Sequence, residues 1–151
     1  MAAQGLMYTA QIQNVTSGTS AVSILIVGTS ASVPVLIHEW RATTSGTVDV
    51  RNPIQIIRRT VGPTGGTAVT PRPLNLRNTV AAASTVTSLP TSDGAAGNIL
   101  ESEQWSVLVP YSRIYTPDER IYVPVSAWVC LGFVTAPTAV NISAEVFFEE
   151  L

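Results

Sequence analysis

Apolar and polar residues alternate with a period of two along several short stretches of this chain. The clearest run is 140–148, where every second residue from Val140 to Phe148 is apolar. An extended strand sends successive side chains to opposite faces, so this pattern predicts a strand with one buried face. Similar runs, some alternating and some mostly apolar, predict further strands at 8–14, 21–27, 32–42, 53–59, 99–109, 121–125 and 126–133.

Strict alternation along 32–42 assigns its residues to two faces of a strand. One face carries Val33, Val35, Ile37, Glu39 and Arg41, and the other carries Pro34, Leu36, His38, Trp40 and Ala42.

The stretch 53–75 begins as a strand and continues as an arm rich in proline and glycine. Its first part holds three isoleucines, whose branched side chains favour the extended conformation. Gly62–Gly66 cannot continue a central strand, and the prolines of Thr70–Pro73 hold the chain extended. We therefore predict an extended arm over 62–75. The segment 78–98 holds small and polar residues without periodicity, which predicts a long loop.

The order of these elements predicts an all-β fold. No run of about ten residues shows helical periodicity, so we expect no βαβ units. Short strands separated by turn signals are typical of antiparallel sandwiches and jelly rolls. The sequence thus predicts one domain over 1–151, a jelly-roll-like antiparallel β-sandwich of about eight strands. Residues 1–7 are predicted to form an N-terminal arm and 111–120 a connector between strands.

Charge is scarce in this chain. Charged residues make up 12% of it and apolar residues 46%, whereas soluble domains average ~25% charged residues. This composition fits either a neutral β-protein with a surface of threonine and serine or, as we favour, a subunit that buries much of its surface in an assembly. All eight basic side chains are arginines, which are favoured in protein interfaces. The net charge of −2 argues against a nucleic-acid partner, and no apolar run has the ~18 residues of a membrane-spanning helix.

The sequence offers no convincing catalytic, cofactor or metal site, so we predict that the protein is not an enzyme. His38 is the only histidine and Cys130 the only cysteine, which excludes the usual zinc sites. We interpret His38 as a hydrogen-bonded, partly buried side chain and Cys130 as a small core residue. Gly62–Thr67 lacks the Gly-Lys-Ser/Thr ending of a phosphate loop. The adjacent acids Glu149 and Glu150 are interpreted as solvated charge.

Arginines and tyrosines are the residues most expected at a contact surface. Arg58 and Arg59 send one guanidinium to each face of a strand, so the inward one requires a partner within the domain or across a subunit boundary. Tyr111, Tyr115 and Tyr122 flank Arg113 and Arg120, which suits a protein contact, a saccharide-binding patch or an aromatic rim over the core. The candidate interface residues are Arg58, Arg59, Thr64, Arg72, Arg77, Tyr111, Arg113 and Tyr115.

Several pieces of the sequence together resemble a known family. They are Ile-His-Glu-Trp at 37–40, Ile-Gln-Ile-Ile-Arg-Arg-Thr at 54–60, Gly-Thr-x-x-Thr-Pro at 66–71, Val-Pro at 123–124 and Phe-Glu-Glu at 148–150. In this combination the chain resembles the small jelly-roll virion proteins encoded beside the major capsid protein in tailed-phage genomes. The most specific element lies between Arg59 and Pro71.

The resemblance implies a capsid decoration or cement protein. Such a protein would be a homotrimer that binds the major capsid protein on the outer surface of the virion, after synthesis in the host cytoplasm. It would use no cofactor, nucleic acid or membrane, and the arm 62–74 and loop 81–97 would contact neighbouring subunits. The alternative is a carbohydrate- or receptor-binding module of a virion or tail, in which Trp40, Trp105 or the tyrosines stack on sugar rings.

Overall fold

The computed structural model describes residues 5–17, 22–47 and 49–151. Within these ranges the chain forms twelve strands, all pairings between strands are antiparallel, and no helix is present that could cross a membrane. The strands are Leu6–Thr16 (β1), Ser23–Gly28 (β2), Val35–Thr44 (β3), Arg51–Arg59 (β4), Thr67–Val69 (β5), Arg72–Pro73 (β6), Thr85–Ser88 (β7), Ala96–Ser106 (β8), Tyr111–Ile114 (β9), Ile121–Val123 (β10), Trp128–Phe133 (β11) and Asn141–Glu150 (β12).

The strands form two sheets of six. Sheet A has the order β10-β3-β12-β1-β6, with β9 also paired to β3, and sheet B has the order β5-β7-β2-β11-β4-β8. Four of the pairs are nested, which means that each pair lies, along the chain, between the two strands of the pair before it. They are β1–β12, β2–β11, β3–β10 and β4–β8. The predicted all-β, antiparallel sandwich is confirmed.

The hydrophobic core lies between the two sheets. Its largest fully buried side chains include Trp40, Tyr8, Phe133 and Phe148, and the rings of Tyr8 and Phe148 stack with centroids 5.8 Å apart. Along β12 every second residue from Ile142 onward is buried. The period-two prediction for this strand is therefore confirmed.

A one-residue bulge changes the faces of β3. Phe147 lies opposite Glu39 and Phe148 opposite Ile37, so His38 is an extra residue between them. Val35 and Ile37 point into the core before the bulge, but Trp40 points into it afterwards. The predicted division of 32–42 into two faces is wrong beyond Ile37, because a bulge reverses the alternation on one strand.

Segments that the sequence predicts to be loops contain short strands. The loop 78–98 includes β7, which pairs with both β2 and β5, and the connector 111–120 includes β9. These strands are short and rich in hydroxyl side chains. Their extended conformation therefore depends more on pairing with neighbouring strands than on an alternation of apolar and polar residues in their own sequence.

The arm 62–75 lies against its own domain. It pairs as β5 with one edge of sheet B and as β6 with one edge of sheet A. Residues 1–4 of the predicted N-terminal arm and Ala21 of the second predicted strand lie outside the described residues, while Leu6 and Met7 belong to β1.

The outer face of sheet B carries a second, small cluster of buried side chains. Ile26, Cys130 and Ile57 lie side by side on neighbouring strands and contact Trp128. The segments 60–66 and 89–95, named the cover here, pack at this face. A backbone hydrogen bond from Thr60 to Ala95 (3.0 Å) and a bridge between Thr64 and Ser92 join them.

Candidate functional site

The eight predicted interface residues fall in three separate places. Arg58, Arg59 and Thr64 lie at sheet B and its cover, whereas Arg72 and Arg77 lie in and after β6, at the opposite edge of the sandwich from β8 and β9. Tyr111, Arg113 and Tyr115 come together at β9. The structure therefore does not bring the eight residues into a single surface.

Arg59 is buried and bound within its own chain. Its Nη2 donates a hydrogen bond to the Ser23 hydroxyl (3.3 Å) and lies 3.9 Å from the Asp93 carboxylate. That carboxylate accepts hydrogen bonds from the backbone N–H groups of Val22 (3.0 Å) and Ser23 (2.8 Å). Arg59 lies on the outer face of sheet B, two residues after Ile57, and has its partners within its own domain. Its place in an interface stays a prediction.

The pKa of Asp93 is lowered by this environment. Burial by itself would raise the pKa of the carboxyl group, but the hydrogen bonds from Ser23 and Val22 and the charge of Arg59 outweigh that effect. The ionised carboxylate therefore fastens the cover to the first residues of β2.

Of the aromatic rings considered for sugar stacking, all but Tyr122 are buried. Tyr111 and Tyr115 are only 5% and 4% exposed, and Trp40 and Trp105 only 0% and 3%. Tyr111 packs against Trp105 edge to face, because both side chains point inward between the sheets. None of these four rings can stack on a ligand at the surface, and Tyr111 and Tyr115 offer very little exposed area to an interface.

Between the edge strands β8 and β9 lies a cleft that holds charged side chains. Glu101 and Glu103 point inward from β8, because they lie opposite the core residues Ile56 and Ile54. Arg113 points inward from β9, opposite Trp40. Its Nε and Nη2 donate hydrogen bonds to the two oxygens of Glu101 at 2.9 and 3.3 Å.

The tyrosines at this cleft remain protonated over the ordinary pH range. Burial raises the pKa of Tyr111, and the carboxylates of Glu103 and Glu101 raise it further. Burial and then Glu101 raise the pKa of Tyr115 in the same way. The hydrogen bond to Glu101 raises the pKa of Arg113, so the guanidinium stays charged.

The outer face of sheet A is a surface that the interface prediction missed. Two rows of opposed residues cross it from strand to strand. One row is Thr9, Phe147, Glu39 and Ile114, and the other is Met7, Glu149, Leu36 and Tyr122. Ile114 is 64% and Tyr122 53% exposed, while Arg41 lies over the ring of Phe147, 5.1 Å from its centroid. The period-two pattern of β12 could have shown that Phe147 faces outward, but the pairing with β9 and β10 could not be read from the sequence.

The two terminal acids of β12 are bound rather than solvated, contrary to the prediction. Glu149 contacts His38 Nε2 at 3.0 Å and accepts a hydrogen bond from the N–H of Gly5 at 2.9 Å. Glu150 is buried and accepts hydrogen bonds from the N–H groups of Ala83 (3.2 Å) and Ser84 (2.7 Å). The interpretation of His38 as a hydrogen-bonded, partly buried side chain is confirmed.

Cys130 is a buried small residue, as predicted, although it belongs to the outer cluster of sheet B. Burial raises the pKa of its thiol. Among the described residues, no group of three His, Cys, Asp or Glu side chains is placed to hold a metal ion. Comparison with protein-family models, curated proteins and solved structures finds no match.

Proposed function

We propose that this protein is a structural component of a phage virion, which docks on the outer surface of the capsid and joins neighbouring major capsid protein subunits. The proposal rests on one observation, the exposed and half-buried apolar side chains on the outer face of sheet A. There Ile114 and Tyr122 are exposed, and Phe147 and Leu36 are half-buried, on one continuous surface. Exposed apolar side chains grouped in one place are typical of protein contacts.

The strand order favours a jelly roll, the fold of many virion proteins. Nested pairs such as β1–β12 and β4–β8 follow the path of one long hairpin wound into two facing sheets. The strands β1, β12, β3 and β9–β10 face β2, β11, β4 and β8. We therefore propose the jelly-roll form of the sandwich.

The distribution of charge suits docking through the outer face of sheet A. Each of its carboxylates has a local partner, although their charges outnumber the one arginine: Arg41 contacts both Glu39 and Glu145, and His38 contacts Glu149. A surface whose charged groups already have partners and lie among apolar side chains loses less on desolvation than one with free charges. A lattice that presents many copies of the docking site would add the effect of multivalency.

Cosedimentation with shells assembled from the major capsid protein of the same genome tests this function. Ile114→Asp is expected to weaken binding about tenfold or more, because it places a charge in the apolar contact. The matched control is Ile99→Asp, which changes an isoleucine of similar exposure (58%) on β8. Equal binding of the wild type and Ile114→Asp would contradict the docking face, and no binding by the wild type would contradict the function.

The proposed homotrimer is tested separately by the native mass in light scattering, which should be three times that of the chain. For the carbohydrate-binding alternative, Trp40, Trp105, Tyr111 and Tyr115 are buried, which leaves Tyr122 as the exposed ring among those considered.

A further inference from the structure

β8 is the longest of the strands that lie at the margins of the two sheets. It has 11 residues, whereas β5, β6, β9 and β10 have two to four. One side of β8 pairs with β4, and within the described residues no strand pairs with its other side. Such an edge presents a row of free N–H and C=O groups that can pair with the same strand of a second copy. An edge of this length therefore requires protection against unintended pairing.

The first half of β8 is irregular, which hinders pairing with a second copy. Leu100 is an extra residue on β8, between the partners of Ile56 and Ile57. A second shift in register follows before the partner of Arg59. Bulges of this kind twist an edge and interrupt its row of hydrogen-bonding groups. They leave 101–106 as the regular part of the edge.

Along this regular part, the edge carries charge on the side that faces the core. Glu101 and Glu103 both lie on that side of β8. Arg113 binds both oxygens of Glu101, but Glu103 is exposed and makes no hydrogen bond or ion pair within the described parts of the chain. A second sheet margin placed against this edge would strip water from the Glu103 carboxylate, which costs free energy because no counter-charge replaces the water.

Like charges also meet in the antiparallel registers that use the regular part of the edge. A symmetric pair centred on Ser102 places Glu101 of one copy opposite Glu103 of the other, and a pair centred on Glu103 places the two Glu103 side chains opposite each other. Like charges directly opposite each other destabilise a sheet. Because Arg113 is already bound to Glu101, each copy would bring one uncompensated carboxylate into the pair.

We infer that Glu103 keeps the free edge of β8 from pairing with β8 of a second copy. The carboxylate excludes growth of sheet B from one chain into the next, and it leaves other surfaces, such as the outer face of sheet A, open for association. The inference depends only on β8 and does not rest on the proposed role in a virion.

Cross-linking of full-length chains that carry Ser102→Cys tests the inference. Opposed residues of antiparallel strands lie about 5 Å apart, within the reach of a disulfide. The parent chain, with Glu103 intact, should form few cross-linked dimers in the presence of glutathione disulfide as the oxidant. Glu103→Thr and Glu103→Gln should each raise the rate of cross-linking about tenfold or more, because they remove the charge that pairing would desolvate. Peptide mapping locates the disulfide and distinguishes position 102 from Cys130, which is buried.

Asp118→Thr is the matched control, because it removes one negative charge from an exposed turn between β9 and β10. It should cross-link as slowly as the parent does. Glu103→Gln keeps the size of the side chain, so the test stands even if Glu103→Thr alters the fold.

Three results would overturn the inference. They are rapid cross-linking of the parent at position 102, equal rates for the parent and the Glu103 variants, and a rise of the same size in Asp118→Thr. The last result would assign the effect to net charge rather than to the edge of β8.

Discussion

Single carboxylates fasten distant parts of this fold to one another. Asp93 binds the cover to β2, Glu149 binds the start of β1 to β3, and Glu150 binds the segment before β7 to the end of β12. The sequence shows these acids but not their partners, because the backbone N–H groups that they accept are far away along the chain. Acidic residues that the sequence suggests are solvated can therefore hold distant segments of the chain together through hydrogen bonds.

Replacement of Glu150 by alanine should lower the free energy of unfolding by about 1.5–3 kcal/mol. The change leaves the N–H group of the buried Ser84, and that of the more exposed Ala83, without its acceptor. Urea unfolding measures the loss, and Asp118→Ala in an exposed turn is the matched control. A similar midpoint for both variants would contradict the structural role of Glu150.

Stability should fall in acid through Asp93. Because the folded state lowers its pKa, the ionised form is favoured by folding, and its contribution is complete above the unfolded pKa of about 4. That contribution is lost as the pH falls through the lower folded value. Asp93→Asn should be less stable than the wild type at neutral pH, and the difference should shrink in acid. Denaturant unfolding at several pH values measures it, and a pH-independent difference would contradict the assignment.

Strands with a strong pattern of apolar residues could be predicted from the sequence. Short strands that form only because they pair with a neighbouring strand could not. β2, β4 and β12 have long runs of buried residues, so the sequence identifies them. β5, β6, β7 and β9 are two to four residues long, and β3 contains a bulge whose position depends on β12. Tyr111, Arg113 and Tyr115 were correctly grouped, but the sequence could not show that the two tyrosines face inward.

The cover should depend on glycine at position 94. Gly94 has φ +74°, and a Cβ there would collide with the carbonyl oxygen of Val61. Gly94→Ala is expected to cost about 1–3 kcal/mol and to open the cover more often. The measurement is the rate at which a thiol reagent modifies Cys130, the buried cysteine of the neighbouring cluster.

Gly46→Ala is the control, because an added Cβ meets no atom closer than 3.4 Å. If Gly94→Ala and Gly46→Ala labelled at the same rate, the cover would not protect Cys130.

At the scale of the whole molecule, nested pairing makes almost every sheet contact distant in sequence. β1 must find β12, and β2 must find β11, before either sheet is continuous. Closing long loops before contacts form slows folding. The order and periodicity of the predicted strands indicated the all-β class, whereas the nested order became visible only in the registers of the paired strands.

Refolding should therefore be slow for a domain of this size, in the range of roughly milliseconds to seconds. Stopped-flow fluorescence of the buried tryptophans Trp40 and Trp105 measures the rate. Microsecond folding would be inconsistent with the nested order.

The pairing of the first and last strands brings Leu6 opposite Glu150. Opposed residues of antiparallel strands lie about 5 Å apart, so a short peptide linker could join these two ends without disturbing either sheet. New termini could then be opened in the exposed turn 116–119. A circular permutant made in this way should keep the sandwich, because Leu6 and Glu150 already lie side by side at one corner of sheet A.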